Sequence, residues 1–140
     1  MPATATPSNS PLAPWMKFLL RFAGTYNLLA GFSIACLYHE YFKFFDVEKP
    51  KLLLFVQLSG VLVALFGVGY LLVARDPRRN ANLLVLGWWS KALGSVLGIW
   101  YVYKGQLPPV FLAILFVSDI VYLPPFWLIL RHLGLGLRPR

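Results

Sequence analysis

Four long apolar stretches constrain this chain more than any other feature of its sequence. They cover residues 15–38, 52–74, 81–103 and 108–130, and each corresponds to about 35 Å of α-helix at 1.5 Å per residue. A transmembrane helix needs about 20 predominantly apolar residues. The stretches are continuous, whereas the strands of a membrane β-barrel alternate in hydrophobicity over about ten residues. The sequence therefore predicts an all-α, integral membrane protein, a four-helix transmembrane bundle.

The composition excludes most other classes of protein. The chain has 140 residues, of which 59% are hydrophobic and only 13% are charged, so it cannot present the mostly polar exterior of a soluble domain. Because Cys36 is its single cysteine, it is not a disulfide scaffold. The formal net charge is +8, but the basic residues are scattered between the apolar stretches, which argues against nucleic acid as a partner.

The segments outside the apolar stretches are short. Residues 1–14 are rich in Pro, Ala, Ser and Thr and carry no charged side chain, so we expect a disordered tail. The transmembrane domain is predicted to occupy residues 15–131, and residues 132–140 form a short basic C-terminal tail. Residues 39–51 combine aromatic side chains with lysines, a mixture typical of a segment at the lipid–water interface.

Two tight connections predict that the helices they join are antiparallel neighbours. Residues 75–80 join the second and third helices, and Pro77 and Asn80 are expected to serve there as turn and N-cap residues. Residues 104–107 join the third and fourth helices, where Pro108 suits the first turn of a helix.

The distribution of Lys and Arg predicts the orientation, because cytoplasmic loops carry an excess of these residues. With four spans, both termini and the second connection lie on one side, which carries eight basic residues against four on the other. The sequence therefore predicts a multi-pass protein of a bacterial-type inner (plasma) membrane with both termini in the cytoplasm. The eight are Lys17, Arg21, Arg75, Arg78, Arg79, Arg131, Arg138 and Arg140, and the four are Lys43, Lys49, Lys51 and Lys104.

Three polar residues lie at similar depth within the predicted spans. Lys91 in the third helix and Asp119 in the fourth are each about 15 Å from the cytoplasmic end of their helix. An ionisable group inside a membrane is costly and usually has a partner, and a tight turn joins these two helices. We therefore predict a Lys91–Asp119 ion pair near the midplane, with Asn27 of the first helix within hydrogen-bonding reach of either residue.

Three interpretations of this pair stay open. It is a static pair that fixes the register of the helices, or part of a proton-relay or ligand-binding site, or two residues without direct contact. Arg21 either snorkels to the interface or joins the Asp119 network. A binding site would consist of Lys91, Asp119, Asn27 and Arg21.

Small residues let membrane helices approach closely, and they recur at helical spacing in the first three spans. The face that carries Lys91 also carries Gly87, Gly94 and Gly98. This coincidence predicts that Lys91 faces other helices and not the lipid. The corresponding stripes are Arg21, Gly24, Asn27 or Leu28, Gly31 and Ala35 in the first helix, and Gly60, Ala64 and Gly67 in the second.

Two further groups of residues have alternative roles. Arg75, Arg78 and Arg79 form a basic turn, which is either an orientation signal or a binding site for an anionic lipid headgroup. Trp88 and Trp89 lie too deep for an interfacial belt of aromatic residues. We expect them to pack against other helices or to line a cavity.

No motif for catalysis is present. The sequence lacks a Walker loop, a dinucleotide fingerprint, a nucleophile elbow and an HExxH motif. His39 and Glu40, with Asp46 and Glu48 nearby, match no standard spacing of metal ligands. The sequence therefore predicts no metal, no cofactor and no catalytic site.

The layout of the chain resembles the DoxX-like group of small bacterial membrane proteins. Those are four-helix chains of similar length with an Arg early in the first helix and small residues after it, here Arg21, Gly24 and Gly31. They also have a short basic loop after the second helix, here residues 75–79. The resemblance implies an association with quinone-linked or thiol redox enzymes. The thiol type needs a cysteine pair, whereas this chain has Cys36 alone.

These observations predict three functions. The first is non-enzymatic: the protein binds a partner subunit, a second copy of itself or lipid, and the Lys91–Asp119 pair fixes the bundle. In the second, Lys91, Asp119 and Asn27 line a midplane site that binds or transports a proton or small ligand. The third is an accessory subunit of a membrane oxidoreductase. A water-accessible cavity that reaches Lys91 would favour the second function over the first, and a dry, fully packed midplane would favour the first.

Overall fold

The computed structural model of the protein describes residues 11–135, and within that part of the chain every regular element is helical. The first three helices and the segment that contains the last two are each long and apolar enough to cross a membrane. The predicted all-α fold with four spans is therefore confirmed. The helices are α1 (Pro14–Phe45), α2 (Leu54–Arg75), α3 (Pro77–Tyr103), α4 (Val110–Ser118) and α5 (Leu123–His132).

The four spans alternate in direction. The start of α1, the α2–α3 turn and the end of α5 lie at one end of the bundle, here called the terminal end. Residues 46–53 and 104–109 lie at the opposite end, here called the loop end. Of the predicted tails, residues 1–10 and 136–140 lie outside the described residues. Leu12, however, is buried and packs into the core, so the predicted N-terminal tail extends too far into the chain.

α1 continues beyond its predicted end and stops only at Phe45, so much of the predicted interfacial segment 39–51 is helical. Neither Gly nor Pro occurs between Leu37 and Phe45 to end the helix earlier. Leu37 has non-helical angles (φ −112°, ψ 24°), which place a kink there. A hydrogen bond of 2.6 Å between the hydroxyl groups of Ser33 and Tyr41 bridges the kink.

The predicted connection between α2 and α3 is reduced to one residue, Asp76. Its carboxylate accepts a hydrogen bond from the backbone N–H of Arg79 at 3.2 Å and so caps α3. The predicted N-cap residue, Asn80, lies inside α3 instead, and its amide donates to the carbonyls of Leu72 and Asp76 at 3.1 Å each. α3 starts earlier than predicted because Pro77 already has the φ angle of a first helical residue.

The fourth span, predicted as one continuous helix, is broken near its middle. α4 ends at Ser118, Asp119 leaves helical geometry (φ −129°, ψ −56°), and α5 begins after the 3₁₀ turn Ile120–Tyr122. Pro124 and Pro125 explain the break. They have no N–H, so the carbonyls four residues before them receive no helical hydrogen bond, and the proline rings crowd those carbonyls. In the first turn of α5 both prolines are tolerated.

Glycines bring α1 and α2 into close contact. A Cβ atom added to Gly67 would lie 2.6 Å from the carbonyl oxygen of Gly24, and one added to Gly60 would lie 2.6 Å from the backbone nitrogen of Ala35. Gly31 likewise faces the backbone of α2 at Gly60. The predicted stripes of small residues in the first two helices therefore form the contact between them.

Two of the three glycines predicted to share a face with Lys91 do so. A Cβ atom added to Gly87 would meet the ring of Tyr70, and one added to Gly98 would lie 3.0 Å from a leucine of α4. The prediction for Gly94 is wrong, because Gly94 is exposed and a Cβ atom there would meet nothing within 4 Å. The buried residue that follows Lys91 on the contact face of α3 is Ser95, four positions later. Ser95 therefore takes the buried position that Gly94 was expected to hold.

The hydrophobic core fills the half of the bundle at the terminal end. Its largest fully buried side chains are Tyr70 and Phe126, whose ring centroids are 5.0 Å apart in an edge-to-face arrangement. The loop half contains a cavity instead. The core consists of Leu12, Met16, Leu20, Ala23, Tyr70, Val73, Ala74, Leu84, Tyr122, Phe126, Ile129 and Leu130.

Candidate midplane binding site

An ion pair lies near the middle of the bundle, as predicted. Lys91 Nζ is 3.0 Å from Asp119 Oδ1, and Lys91 is only 5% exposed. Lys91 lies on the buried face of α3, and Asp119 lies in the break between α4 and α5. The third interpretation, in which Lys91 and Asp119 make no direct contact, is therefore wrong. Because the two charges neutralise each other, the site has no net charge.

The break in the fourth span gives Lys91 a second acceptor. In a continuous helix the carbonyl of Ser118 would accept a hydrogen bond from the N–H of Tyr122, but that N–H donates to the carbonyl of Asp119 at 3.2 Å. Lys91 Nζ donates to the Ser118 carbonyl at 2.8 Å. Backbone that leaves a helix inside a membrane needs such a partner, because lipid offers none. Lys91 therefore stabilises the break as well as the carboxylate.

Trp88 stabilises the other side of the break, one turn of α3 away from Lys91. Its indole N–H donates to the carbonyl of Leu123, at the start of α5, at 3.0 Å. The Trp88 ring also lies against the rings of Trp89 and Trp127, with centroid distances of 5.2 and 5.8 Å. Trp88 is thus a packing residue, one of the two roles expected for it.

The two members of the ion pair differ in their surroundings. The ammonium group of Lys91 lies 5.0 Å from the ring centroid of Tyr122 and 5.9 Å from that of Tyr70, and such cation–π contacts strengthen in a desolvated site. Asp119 Oδ2 accepts a hydrogen bond from Ser118 Oγ at 3.0 Å, but the Asp119 side chain is 28% exposed. The carboxylate is therefore the more accessible member of the pair.

A cavity of about 450 Å³ extends from the ion pair through the loop half of the bundle. Asn27, Lys91 and Asp119 lie at its inner end, and most of the remaining wall is aliphatic or aromatic. The midplane is therefore not fully packed. The wall includes Ala30 and Ile34 of α1, Val63 and Phe66 of α2, and Phe111 and Ile114 of α4.

Asn27 contributes an unpaired amide to this cavity. It is 6% exposed and lies in the cavity wall, but among residues 11–135 it has no hydrogen-bond partner. The hydrogen bond expected with Lys91 or Asp119 is therefore not formed. No buried side-chain N or O atom of the described residues lacks a partner, so the amide atoms of Asn27 are open to the cavity and available to a ligand that reaches its inner end.

Tyr70 is a site residue that the sequence analysis did not identify. It is 1% exposed, lines the cavity, and its hydroxyl group has no hydrogen-bond partner in the described part of the chain. The Tyr70 ring packs directly against α3 at Gly87, where any side chain would occupy the same space. One signal was present in the sequence: Tyr70 directly follows the Gly67–Gly69 segment, where small neighbours leave room for a ring.

Arg21 does not belong to the midplane site. It lines a separate groove at the terminal end together with Arg75. Of the two roles left open for Arg21, a share in the Asp119 network is therefore wrong, because Arg21 lies about two helical turns from Asn27 toward the start of α1. Arg78 and Arg79 do not line that groove, so the structure divides the arginine cluster predicted from the sequence.

Potential metal ligands do not converge. Within residues 11–135 no group of three or more His, Cys, Asp or Glu side chains could hold a metal ion. His39 is instead engaged by Lys49, whose Nζ atom lies 2.6 Å from His39 Nδ1. Cys36 is exposed.

Comparison with protein-family models, with curated proteins and with solved structures finds no match. The resemblance to the DoxX-like group therefore stays a prediction.

Proposed function

We propose that this protein binds a lipid-soluble small molecule in the midplane cavity, with the polar end of that molecule at Asn27, Lys91 and Asp119. One observation carries the proposal: a largely apolar cavity of about 450 Å³ ends at a buried ion pair and an unpaired amide. This is the ligand-binding form of the second predicted function. Binding of a partner subunit and membership of a membrane oxidoreductase stay predictions.

The chemistry of the inner end favours a neutral ligand. Lys91 and Asp119 neutralise each other, so an ion entering the cavity would meet no net opposite charge. The Asn27 amide and the Tyr70 hydroxyl can each donate and accept, and the carboxylate of Asp119 can accept further hydrogen bonds. A carbonyl or hydroxyl group satisfies these partners, and an apolar body fits the aliphatic and aromatic wall.

The size of the cavity and the break in the fourth span support the same function. Small-molecule sites have volumes of about 300–1,000 Å³, and the cavity volume of about 450 Å³ falls within that range. Sites near the middle of a membrane are commonly built where a span is discontinuous, because polar backbone groups become available there. Here the discontinuity lies at Asp119.

Filling the cavity tests this proposal. Ala30→Phe places a ring in the cavity wall and leaves the ion pair unchanged, and Leu29→Phe is the matched control at a position that is 68% exposed. Native mass spectrometry of protein purified from its membranes would measure the bound small molecule. We expect wild type and Leu29→Phe to retain the same bound mass. Ala30→Phe should lose about tenfold or more of the affinity, because a clash of about 1.4 kcal/mol is sufficient for that.

Asn27→Leu tests the polar end of the cavity. We expect the bound mass to disappear, while the stability of the ligand-free protein changes by less than about 1 kcal/mol, because the amide has no hydrogen bond to lose. Denaturant unfolding in detergent measures the second effect. The proposal fails if wild-type protein carries no bound molecule, or if both Ala30→Phe and Asn27→Leu retain it at wild-type occupancy.

We also propose that the protein lies in an inner (plasma) membrane with its terminal end in the cytoplasm. Among the described residues, six Lys and Arg side chains lie at that end and four at the loop end, and this excess supports the orientation. In this orientation the midplane cavity extends toward the extracytoplasmic side.

A further inference from the structure

A second site lies at the terminal end of the bundle, apart from the midplane cavity. It is a groove between the first turns of α1 and the last turns of α2. Basic side chains from both helices converge on it, so it is not formed by either helix alone. The groove is lined by Lys17, Arg21, Thr25, Leu71, Ala74 and Arg75.

Three positive charges meet in this groove, and no acidic side chain among residues 11–135 lines it. In the described part of the chain the side chains of Lys17, Arg21 and Arg75 form no ion pair and no hydrogen bond. Asp76 follows Arg75 directly, but its carboxylate caps α3 by accepting from the N–H of Arg79. Like charges four residues apart on a helix repel each other, as Lys17 and Arg21 do. An anion bound between the two helices would relieve this repulsion.

The position of the groove indicates which kind of anion fits. Arg75 is the last residue of α2 and Lys17 lies in the first turn of α1, so the charges lie where the apolar spans end. Next to the groove residues, α1 exposes Phe18 and Phe22, and α2 exposes Leu72. Positive charge beside exposed apolar surface fits a lipid whose phosphate lies at the interface and whose acyl chains lie along the helices.

We propose that this groove binds the phosphate group of an anionic membrane lipid. The guanidinium groups of Arg21 and Arg75 bind phosphate oxygens in two-point geometry, and Lys17 and Thr25 add a charge and a hydroxyl donor. A free phosphate ion offers the same oxygens but gains nothing from the exposed apolar side chains. The site shares only Arg75 with the arginine cluster predicted from the sequence, and it is independent of the midplane cavity.

Two double variants with equal loss of charge test the site. Arg21→Gln with Arg75→Gln removes two charges from the groove, and Arg78→Gln with Arg79→Gln removes two charges outside it. The probe is dioctanoyl phosphatidylglycerol, titrated into purified protein in a neutral detergent and followed by the shift in thermal unfolding. We expect the groove variant to lose about 25-fold in affinity, at about fivefold per charge, and the control to lose less than about fivefold. Inorganic phosphate and dioctanoyl phosphatidylcholine should produce no shift.

Each alternative outcome is distinct. Equal losses in the two double variants would overturn the site, because affinity would then depend on net charge alone. A response to inorganic phosphate as large as that to phosphatidylglycerol would assign the groove to free phosphate and overturn the lipid. If the glutamine pair does not fold, Arg21→Lys with Arg75→Lys replaces it. That variant keeps the charge but not the guanidinium geometry, so we expect a several-fold loss, and an unchanged affinity would contradict the proposal.

Discussion

Lys91 binds two acceptors of different kinds, the carboxylate of Asp119 and the backbone carbonyl of Ser118. The two substitutions that break the ion pair are therefore not equivalent. Loss of the carboxylate leaves the lysine with one acceptor, whereas loss of the lysine leaves both a carboxylate and a carbonyl without their donor. The predicted ion pair thus also holds a local backbone structure.

We expect Lys91→Met to destabilise the protein by at most about 3–5 kcal/mol, the range for breaking a fully buried ion pair, because the Asp119 side chain that remains is 28% exposed. Asp119→Leu should cost less, because Lys91 retains the Ser118 carbonyl as an acceptor. The double variant should recover part of the loss, since no lone charge remains, but not all of it. Denaturant unfolding in detergent of wild type and the three variants measures these differences. Additive losses in the double variant would show that the two residues do not interact.

At the scale of helices, the contact between α1 and α2 depends on the absence of side chains at a few positions. The backbones of the two helices approach so closely at Gly24 and Gly67 that a Cβ atom has no space. Gly94 of α3 is also a glycine in a span, but no other helix approaches it. The two kinds of glycine look alike in the sequence and differ only in their neighbours.

Gly67→Ala and Gly94→Ala make a matched pair of substitutions. We expect Gly67→Ala to destabilise the protein by about 1–3 kcal/mol, because the added methyl group forces the two helices apart. Gly94→Ala should be neutral or stabilising by up to about 1 kcal/mol, because alanine has the higher helix propensity. Thermal unfolding in the same detergent compares them. Equal effects of the two substitutions would contradict the close contact at Gly67.

The four spans could be predicted from the sequence because a long apolar segment is unfavourable in water. Inside lipid, a helix is the structure in which one such segment satisfies its own backbone hydrogen bonds. Two features of the elements could not be predicted in this way. Hydropathy marks where the membrane ends and not where a helix ends, so the extension of α1 to Phe45 was missed. Averaging hydropathy over a span also conceals Pro124 and Pro125. Whether a span bends or breaks there depends on partners for the carbonyls that leave the helical ladder, and the partner of the Ser118 carbonyl, Lys91, lies on another helix.

At the scale of the whole molecule, the midplane pair was predictable and the cavity was not. Lys91 and Asp119 lie at similar depth on two spans that a tight turn joins. Their contact therefore depends little on how the other spans are arranged. The cavity, in contrast, is the space that remains when side chains from all four spans have packed. Its volume depends on the relative positions of the helices, which no spacing within one helix determines.

The orientation of the whole molecule is tested without altering any charge. In a Cys36→Ser background, Gln106→Cys places a thiol at the loop end and Leu135→Cys places one at the terminal end, both at exposed positions. In intact cells, a membrane-impermeant thiol reagent should label the first and not the second. The opposite pattern would reverse the proposed orientation, and both thiols should react once the membrane is opened with detergent.

The unequal filling of the bundle has a consequence for its local stability. α5 contributes to the hydrophobic core, whereas α4 lies between the cavity and the exterior. Local opening costs least where the fewest buried contacts are lost, and the break at Asp119 already interrupts the hydrogen-bonded ladder between the two segments. We therefore expect the fourth span to fluctuate as two units of unequal stability, with α4 opening more often than α5 although both belong to one crossing of the membrane.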